Sequence, residues 1–327
     1  MDEEALIARF FAPLGARRAD VRLGIGDDAA LVSVPTGSEL VLTTDALVEG
    51  VHFLPGASAH SLGHRALTVN LSDLAAMGAA PSWMLLSLVM PEVREGWLRA
   101  FCDGLAPLAE RYAVALVGGN LSRGPLSITV QLAGLVPSGQ ALRRDGARSG
   151  DALFISGTPG DAAAGRQWGH TQGAASDRGR AQLLERFEYP TARVELGAAL
   201  RGLATACIDV SDGLYRDAQR MLAASGCGGQ IETARLPLSP ALRELAAEQR
   251  WPEEQALLLA LAGGEDYELC FCAPEERTAA LLALATRLGE RITRIGAVTA
   301  TPGLSLTTSN PHLLPALRTQ MFDHFGH

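Results

Sequence analysis

The chain has no lysine: all 28 of its Lys and Arg positions are arginine. A Walker-type phosphate loop needs Gly-Lys-Ser/Thr and a protein-kinase fold needs its strand lysine, so both are excluded. Schiff-base catalysis is excluded on the same ground. There is no basic tail or Arg-rich run, and the net charge is −8, which argues against a nucleic-acid scaffold. No apolar run reaches the roughly 18 residues that span a bilayer. The acidic start, Met1-Asp2-Glu3-Glu4, is unlike a targeting peptide. The five cysteines, Cys102, Cys207, Cys227, Cys270 and Cys272, form no CxxC pair and read as small core residues. The expectation is a cytoplasmic protein with neither nucleic-acid nor membrane partners.

What is present is a chain of 327 residues, 47% hydrophobic and 20% charged, long enough for two medium domains. Residues 3–11 read as an amphipathic helix. Strands are expected at 39–44, 83–90, 114–117 and 126–136, and helices over 59–78 and 93–112. Composition shifts at Pro137-Ser138-Gly139 and at Arg148-Ser149-Gly150. Beyond them, strands are expected at 152–156, 229–233, 267–273 and 292–298, with helices at 191–204, 213–225, 240–249 and 276–288. Residues 169–180, rich in Gly, Ser and Gln, read as a surface loop. The fold class is α/β or α+β, with an N-terminal domain over 1–138 and a C-terminal α/β domain over 149–327.

Four short acidic motifs stand in or beside apolar segments: Gly26-Asp27-Asp28, Thr43-Thr44-Asp45, Asn70-Leu71-Ser72-Asp73 and Asp209-Val210-Ser211-Asp212-Gly213. A carboxylate is costly to bury unless it is paired or holds a metal. Gly24 to Ala30 reads either as an ordinary glycine-supported turn or as a loop offering hard oxygen ligands suited to Mg2+. Thr43-Thr44-Asp45 reads as the end of a strand, where ligands commonly sit. Asn70 and Asp73 are three apart on a helix and share a face. The segment Asp209 to Gly213 suits an N-cap, a phosphate site or a metal site. Gly263-Gly264-Glu265-Asp266-Tyr267 is either a helix end with a turn or a close backbone approach to a ligand. His60 and His64 have the spacing of a metal pair but lack the third ligand. Arg143 and Arg144 are the natural phosphate contacts in a chain without lysine.

This ordered set resembles the thiamine-monophosphate kinase family, within the ATP-binding superfamily of aminoimidazole ribonucleotide synthetase. The matching stretches are Gly24 to Asp28, Thr44-Asp45, His52-Phe53, Asn70 to Gly78, Ile208 to Leu214 and Gly263 to Leu269. The resemblance implies an N-terminal domain whose sheet builds a homodimer, paired with a C-terminal α/β domain. It implies transfer of the γ-phosphoryl of ATP to thiamine monophosphate, giving thiamine diphosphate. Asp28, Thr43, Thr44, Asp45, Asp73, Asp209 and Asp212 would bind several Mg2+ ions. Tyr112, Gly119, Asn120, Arg144 and Ser211 would contact ATP. His52, Glu265 and the C-terminal Phe322 would contact the thiamine end.

The residue chemistry agrees with that implication. The acceptor is a phosphate monoester that is mostly dianionic at neutral pH, so no general base is required. The obstacle is repulsion: like unit charges 4 Å apart cost about 4 kcal/mol at an effective dielectric of 20. Many carboxylates that gather cations answer that obstacle. Selenophosphate synthetase, a relative, needs an early Cys or selenocysteine and a lysine, and this chain has no cysteine before Cys102. Other synthetases of the superfamily form acyl- or imidoyl-phosphates, and their motifs are not evident. The alternative of another class is a weakly active or non-catalytic nucleotide- or thiamine-phosphate-binding protein, motivated by Asn120. The family usually carries Gly-Gly-Asp where this chain has Gly118-Gly119-Asn120, so by the resemblance Asn120 would be a metal ligand that keeps an oxygen donor but lacks the charge. Asn120→Asp is therefore expected to lower the Mg2+ concentration for half-maximal rate. An unchanged Mg2+ titration curve would refute this.

Overall fold

The computed structural model describes residues 2–15, 17–169 and 177–320. Its compact units are Met1–Leu74 with Ala79–Ala141, and Ala75–Gly78 with Leu142–His327. No helix among the described residues is long and apolar enough to cross a membrane.

The first unit contains, in order, α1 (Glu3–Leu6), a π-helical turn (Ile7–Phe11), β1 (Val21–Leu23), β2 (Leu31–Val32), β3 (Ser38–Val48), α2 (Ala59–Ala76), β4 (Ala80–Met90), α3 (Glu95–Arg111), β5 (Ala115–Arg123) and β6 (Ser127–Pro137). The four long strands form one sheet in the order β3-β6-β4-β5, antiparallel except for the β4–β5 pair. Strand β6 shows how sequence sets its two faces. Ile128, Val130, Leu132 and Val136 are buried, while Thr129, Gln131, Ala133 and Leu135 alternate onto a less covered face. Helix α2 buries Leu62, Ala66, Leu67, Leu71 and Leu74, a helical repeat of three and four. Helices α2 and α3 approach through two glycines. A Cβ on Gly63 would lie 2.0 Å from the Phe101 carbonyl oxygen, and one on Gly104 1.9 Å from that of His60.

The second unit contains β7 (Ala152–Ser156), α4 (Asp161–Trp168), α5 (Asp177–Glu188), α6 (Val194–Leu200), β8 (Ala206–Val210), α7 (Leu214–Ala224), β9 (Gly228–Glu232), α8 (Pro240–Glu248), α9 (Glu253–Ala262), β10 (Glu268–Ala273), α10 (Thr278–Leu288), β11 (Ile292–Thr299), β12 (Gly303–Thr307) and α11 (Leu313–Gln320). Its six strands run β12-β9-β11-β7-β10-β8, with only β12–β9 parallel. Strands β7, β8 and β10 are buried along their whole length, which explains their continuous apolar sequences.

Three sequence expectations change. The strand holding Thr43-Thr44-Asp45 does not end there. It pairs with β6 over eleven successive positions, from Ser38 with Pro137 to Val48 with Ser127, so the ladder carries the polar triplet through. Residues 177–180, expected in a loop, begin α5, and the part of that loop at 170–176 lies outside the described residues. Strands β1, β2, β8 and β12 and helix α11 lie outside those expectations; the strands are short and draw their identity from pairing across the fold.

One carboxylate organises the second unit. Glu268, with 0% exposure, accepts two bonds from Arg193 at 2.6 Å, one from Arg186 at 2.8 Å and one from the Ser156 hydroxyl at 2.6 Å. Burial alone would push its carboxyl up; the Arg193 and Arg186 guanidiniums and Ser156 outweigh that and hold it below the usual glutamate range. Its stabilising contribution is therefore complete above the unfolded-state value and is lost as pH falls through the folded one. Arg193→Ala is expected to cost about 3 kcal/mol at neutral pH, with a deficit that narrows below about pH 4 as the carboxyl protonates. Urea unfolding of both proteins at pH 7 and pH 3 checks this; an equal deficit at both would contradict it.

Candidate functional site

The open face of the first unit's sheet carries a cavity of about 690 Å³. Its polar lining includes Asp28, Thr44, Ser87, Gly119, Asn120 and Gln131. Asp28 arrives on the turn between β1 and β2, where its backbone N–H donates to Asp27 Oδ1 at 2.8 Å. Thr44 arrives on β3 and donates its hydroxyl to the Val130 carbonyl at 3.2 Å. Gly119 lies against β4 so closely that a Cβ would meet the Leu86 carbonyl oxygen at 1.9 Å. No other residue fits there, and the lack of side chains at Gly118-Gly119 leaves β5 backbone open to the cavity. Asn120 Nδ2 donates to Ser122 Oγ at 2.8 Å, which fixes the amide's orientation. A smaller cavity of about 160 Å³ also borders Gly26, Asp27 and Gly118 to Asn120.

The pleat divides the Thr43-Thr44-Asp45 triplet. Thr44 shares the cavity face with Leu40 and Leu42, whereas Thr43 and Asp45 belong to the alternate positions on the helix side. There the Thr43 hydroxyl donates directly to Asp73 Oδ2 on α2. The structure thus joins Thr43 with Asp73, and Thr44 with Asp28 and Asn120, on opposite faces of one sheet. One turn before Asp73, Asn70 is fully buried; its Nδ2 donates to the Ala66 carbonyl and its Oδ1 has no hydrogen-bond partner. His52 Nδ1 accepts the Val48 N–H at 3.1 Å, and Arg65 Nη2 donates to the His52 carbonyl at 3.3 Å, so buried α2 fixes the imidazole's loop. Tyr112 ends α3 and stacks with the Arg111 guanidinium, 5.1 Å from its ring centre.

In the second unit, Asp209 is buried near the end of β8 and Ser211-Asp212 form the turn into α7. The N-cap of α7 is Gly213, with no side-chain cap bond. The turn is held instead by Asp217, whose Oδ2 accepts the N–H groups of Ser211 at 3.1 Å and Asp212 at 3.0 Å. Sequence reasoning missed Asp217 because it looks like an ordinary helix position; an acid in the first turn is the signal that marks it. Burial pushes its carboxyl up to about 6. Asp212 Oδ2 pairs with Arg220 at 2.6 Å, and the same guanidinium reaches Asp217 Oδ1 at 3.1 Å.

Of the two arginines singled out, Arg143 is taken by Asp145, with Nε donating to Oδ1 at 2.8 Å. Arg144 is exposed; its carbonyl accepts the Ser225 hydroxyl, and its guanidinium makes no ion pair to another described residue. Glu265 is half-buried at the mouth of the loop before β10. Phe322 lies outside the described residues. Among the described residues, no three His, Cys, Asp or Glu side chains converge as a ready metal cluster.

Residues 26–136 match the AIR synthase related protein N-terminal domain, and residues 148–309 match the C-terminal domain of the same family. The chain is 47% identical over 299 residues to the thiamine-monophosphate kinase of Escherichia coli (strain K12), spanning 91% of this chain and 90% of that protein. The crystal structure of thiamine-monophosphate kinase from Stenotrophomonas maltophilia K279a is similar with a TM-score of 0.85 and 44% identity, covering 94% of this chain and 96% of that one. AaThiL complexed with AMPPCP and TMP is similar with a TM-score of 0.76 and 35% identity, covering 88% and 90%.

Proposed function

The chain belongs to the thiamine-monophosphate kinase family of AIR synthase related proteins, and on that premise we propose that it transfers the γ-phosphoryl of ATP to thiamine monophosphate, giving thiamine diphosphate and ADP. The observation that carries this reading is near-full-length likeness to a protein solved with AMPPCP and TMP together. It is a phosphotransferase whose acceptor is itself a phosphate. A phosphate oxygen of the acceptor attacks the γ-phosphorus as the bond to the β-phosphate oxygen breaks. The acceptor is already ionised, so the protein's work is positioning and charge compensation.

We assign residues 1–138 to ATP and Mg2+ binding and dimerisation, and 149–327 to the C-terminal α/β domain. ATP contacts are Tyr112, Gly119, Asn120, Arg144 and Ser211. The Arg144 guanidinium, which makes no ion pair to another described residue, and the side-chain-free backbone at Gly119 support the phosphate part of that set. Thiamine contacts are His52, Glu265 and Phe322; a carboxylate and an aromatic ring suit a cationic thiazolium. The donor chemistry fits Mg2+: Asp28, Thr43, Thr44, Asp45, Asp73, Asn120, Asp209 and Asp212 carry hard oxygen donors, and the buried Asn70 Oδ1, one turn before Asp73, has no hydrogen-bond partner among the described residues. Mg2+, when bound, supplies neutralisation of the phosphate charges. The five unpaired cysteines support a reducing, cytoplasmic setting.

The homodimer belongs to the same proposal. Leu40, Leu42 and Leu85 on the open sheet face are 44%, 59% and 38% exposed, and a contiguous apolar face of that kind supports burial against a second copy. Sedimentation of the wild type is expected to give a dimer at micromolar concentration, and Leu42→Arg to shift it toward monomer. A monomeric wild type would overturn the assignment. For the activity, incubation with ATP, Mg2+ and thiamine monophosphate is expected to yield thiamine diphosphate and ADP in equal amounts. Absence of thiamine diphosphate across a wide Mg2+ range would defeat the kinase reading.

A further inference from the structure

Among the described residues, four that carry side chains adopt positive φ, and two of them sit two positions apart in one loop: Glu265 at 63° and Tyr267 at 52°. L-residues are strained there, and such strain persists only where the surroundings over-determine it. Here they do. The Glu265 N–H donates to the Ser211 carbonyl at 2.8 Å and the Tyr267 N–H to the Val210 carbonyl at 2.9 Å. Between them Asp266 is 1% exposed, and both of its carboxylate oxygens accept the Gly160 N–H at 2.9 Å. Gly264 lies so close that a Cβ would meet the Ser211 carbonyl oxygen at 2.7 Å. The two left-handed steps bring alternate side chains together: the buried Tyr267 ring directs its hydroxyl to Glu265 Oε2 at 3.1 Å.

We infer that Tyr267 is a positioning residue that holds the Glu265 carboxylate in the orientation used to receive the cationic end of thiamine monophosphate, with Asp266 fixing the loop beneath it. The inference rests on the reading of Glu265 as a substrate contact. Glutamate has one of the larger rotamer entropies among side chains, and holding it beforehand removes part of that cost from binding. The phenol takes one of the roughly four acceptor sites of a carboxylate, and that bond orients Glu265. The same loop is tied by backbone to the Ser211 turn, so orientation at the thiamine end is set by the segment that carries Asp209 and Asp212.

The test is steady-state kinetics on the full chain with Tyr267→Phe, Glu265→Ala and the double variant. Tyr267→Phe keeps the ring and removes only the hydroxyl. It is expected to raise KM for thiamine monophosphate roughly tenfold, the scale of one hydrogen bond to a charged group, with kcat, KM for ATP and the unfolding midpoint unchanged. Added to Glu265→Ala, it is expected to have no further effect. If Glu265→Ala raises that KM and Tyr267→Phe does not, the positioning role is overturned. It is equally overturned if Tyr267→Phe acts as strongly without Glu265 as with it. If Glu265→Ala leaves the KM unchanged, the substrate assignment of Glu265 falls, and the inference with it.

Discussion

A negative charge with no access to water sits at the start of β10, and much of the second unit is arranged around it. Glu268 survives there because Arg193, Arg186 and Ser156 surround it, and Arg193 is itself shared with Glu290 at 2.7 Å. The carboxylate fills the space a side chain would need at Gly157, where a Cβ would lie 2.0 Å from Glu268 Oε1, so that turn must be glycine. It also pins β10 in register, with Glu268 opposite Val210 and Leu269 opposite Asp209. The loop at 263–267 enters this fixed strand directly, while Asp266 fastens it to Gly160. With both ends anchored, the backbone has no room to relax out of its left-handed steps. A buried ion pair is a poor source of net stability; here it serves to define one geometry.

Charge compensation divides the arginines of this lysine-free chain. Arg180 pairs with Glu248, Arg186 and Arg193 with Glu268, Arg143 with Asp145, and Arg220 with Asp212 and Asp217. Most of these guanidiniums are committed to the fold before any substrate arrives. Arg220 differs, because its partner Asp212 is among the residues assigned to Mg2+. On the proposed Mg2+ assignment, protein cation and metal cation would share one carboxylate, and the internal pair would keep that aspartate compensated while no metal is bound.

Sequence order made the two-unit α/β architecture legible, because apolar periodicity and glycine punctuation are local signals. The placement of site residues was less so. Thr43-Thr44-Asp45 looked like a strand end because three polar residues interrupt an apolar run, yet eleven paired positions carry the strand past them. Only that register reveals that Thr43 and Thr44 serve opposite faces. Asp217 was invisible as the support of the Ser211-Asp212 turn, since only the fold shows its carboxylate reaching back to accept the N–H groups of Ser211 and Asp212. Strand β12 draws its identity from the parallel partner β9, and five residues give no periodicity to read. Glu265 stands out in the sequence beside Gly263-Gly264, but its tether to Tyr267 depends on backbone angles no composition encodes.

The crossing of α2 and α3 has a bearing on how mutational surveys of this chain would be interpreted. Gly63 and Gly104 each abut a carbonyl oxygen of the opposite helix. The separation of the two helices is thus set by main chain against main chain, with no compressible side chain in between. Helix α2 carries Asp73 to its contact with Thr43, so any residue larger than glycine at the crossing displaces a carboxylate roughly 15 Å farther along the same rigid rod. A selection that scores growth alone would rank these two glycines beside the acidic motifs, and a map of intolerance would mistake a spacer for chemistry.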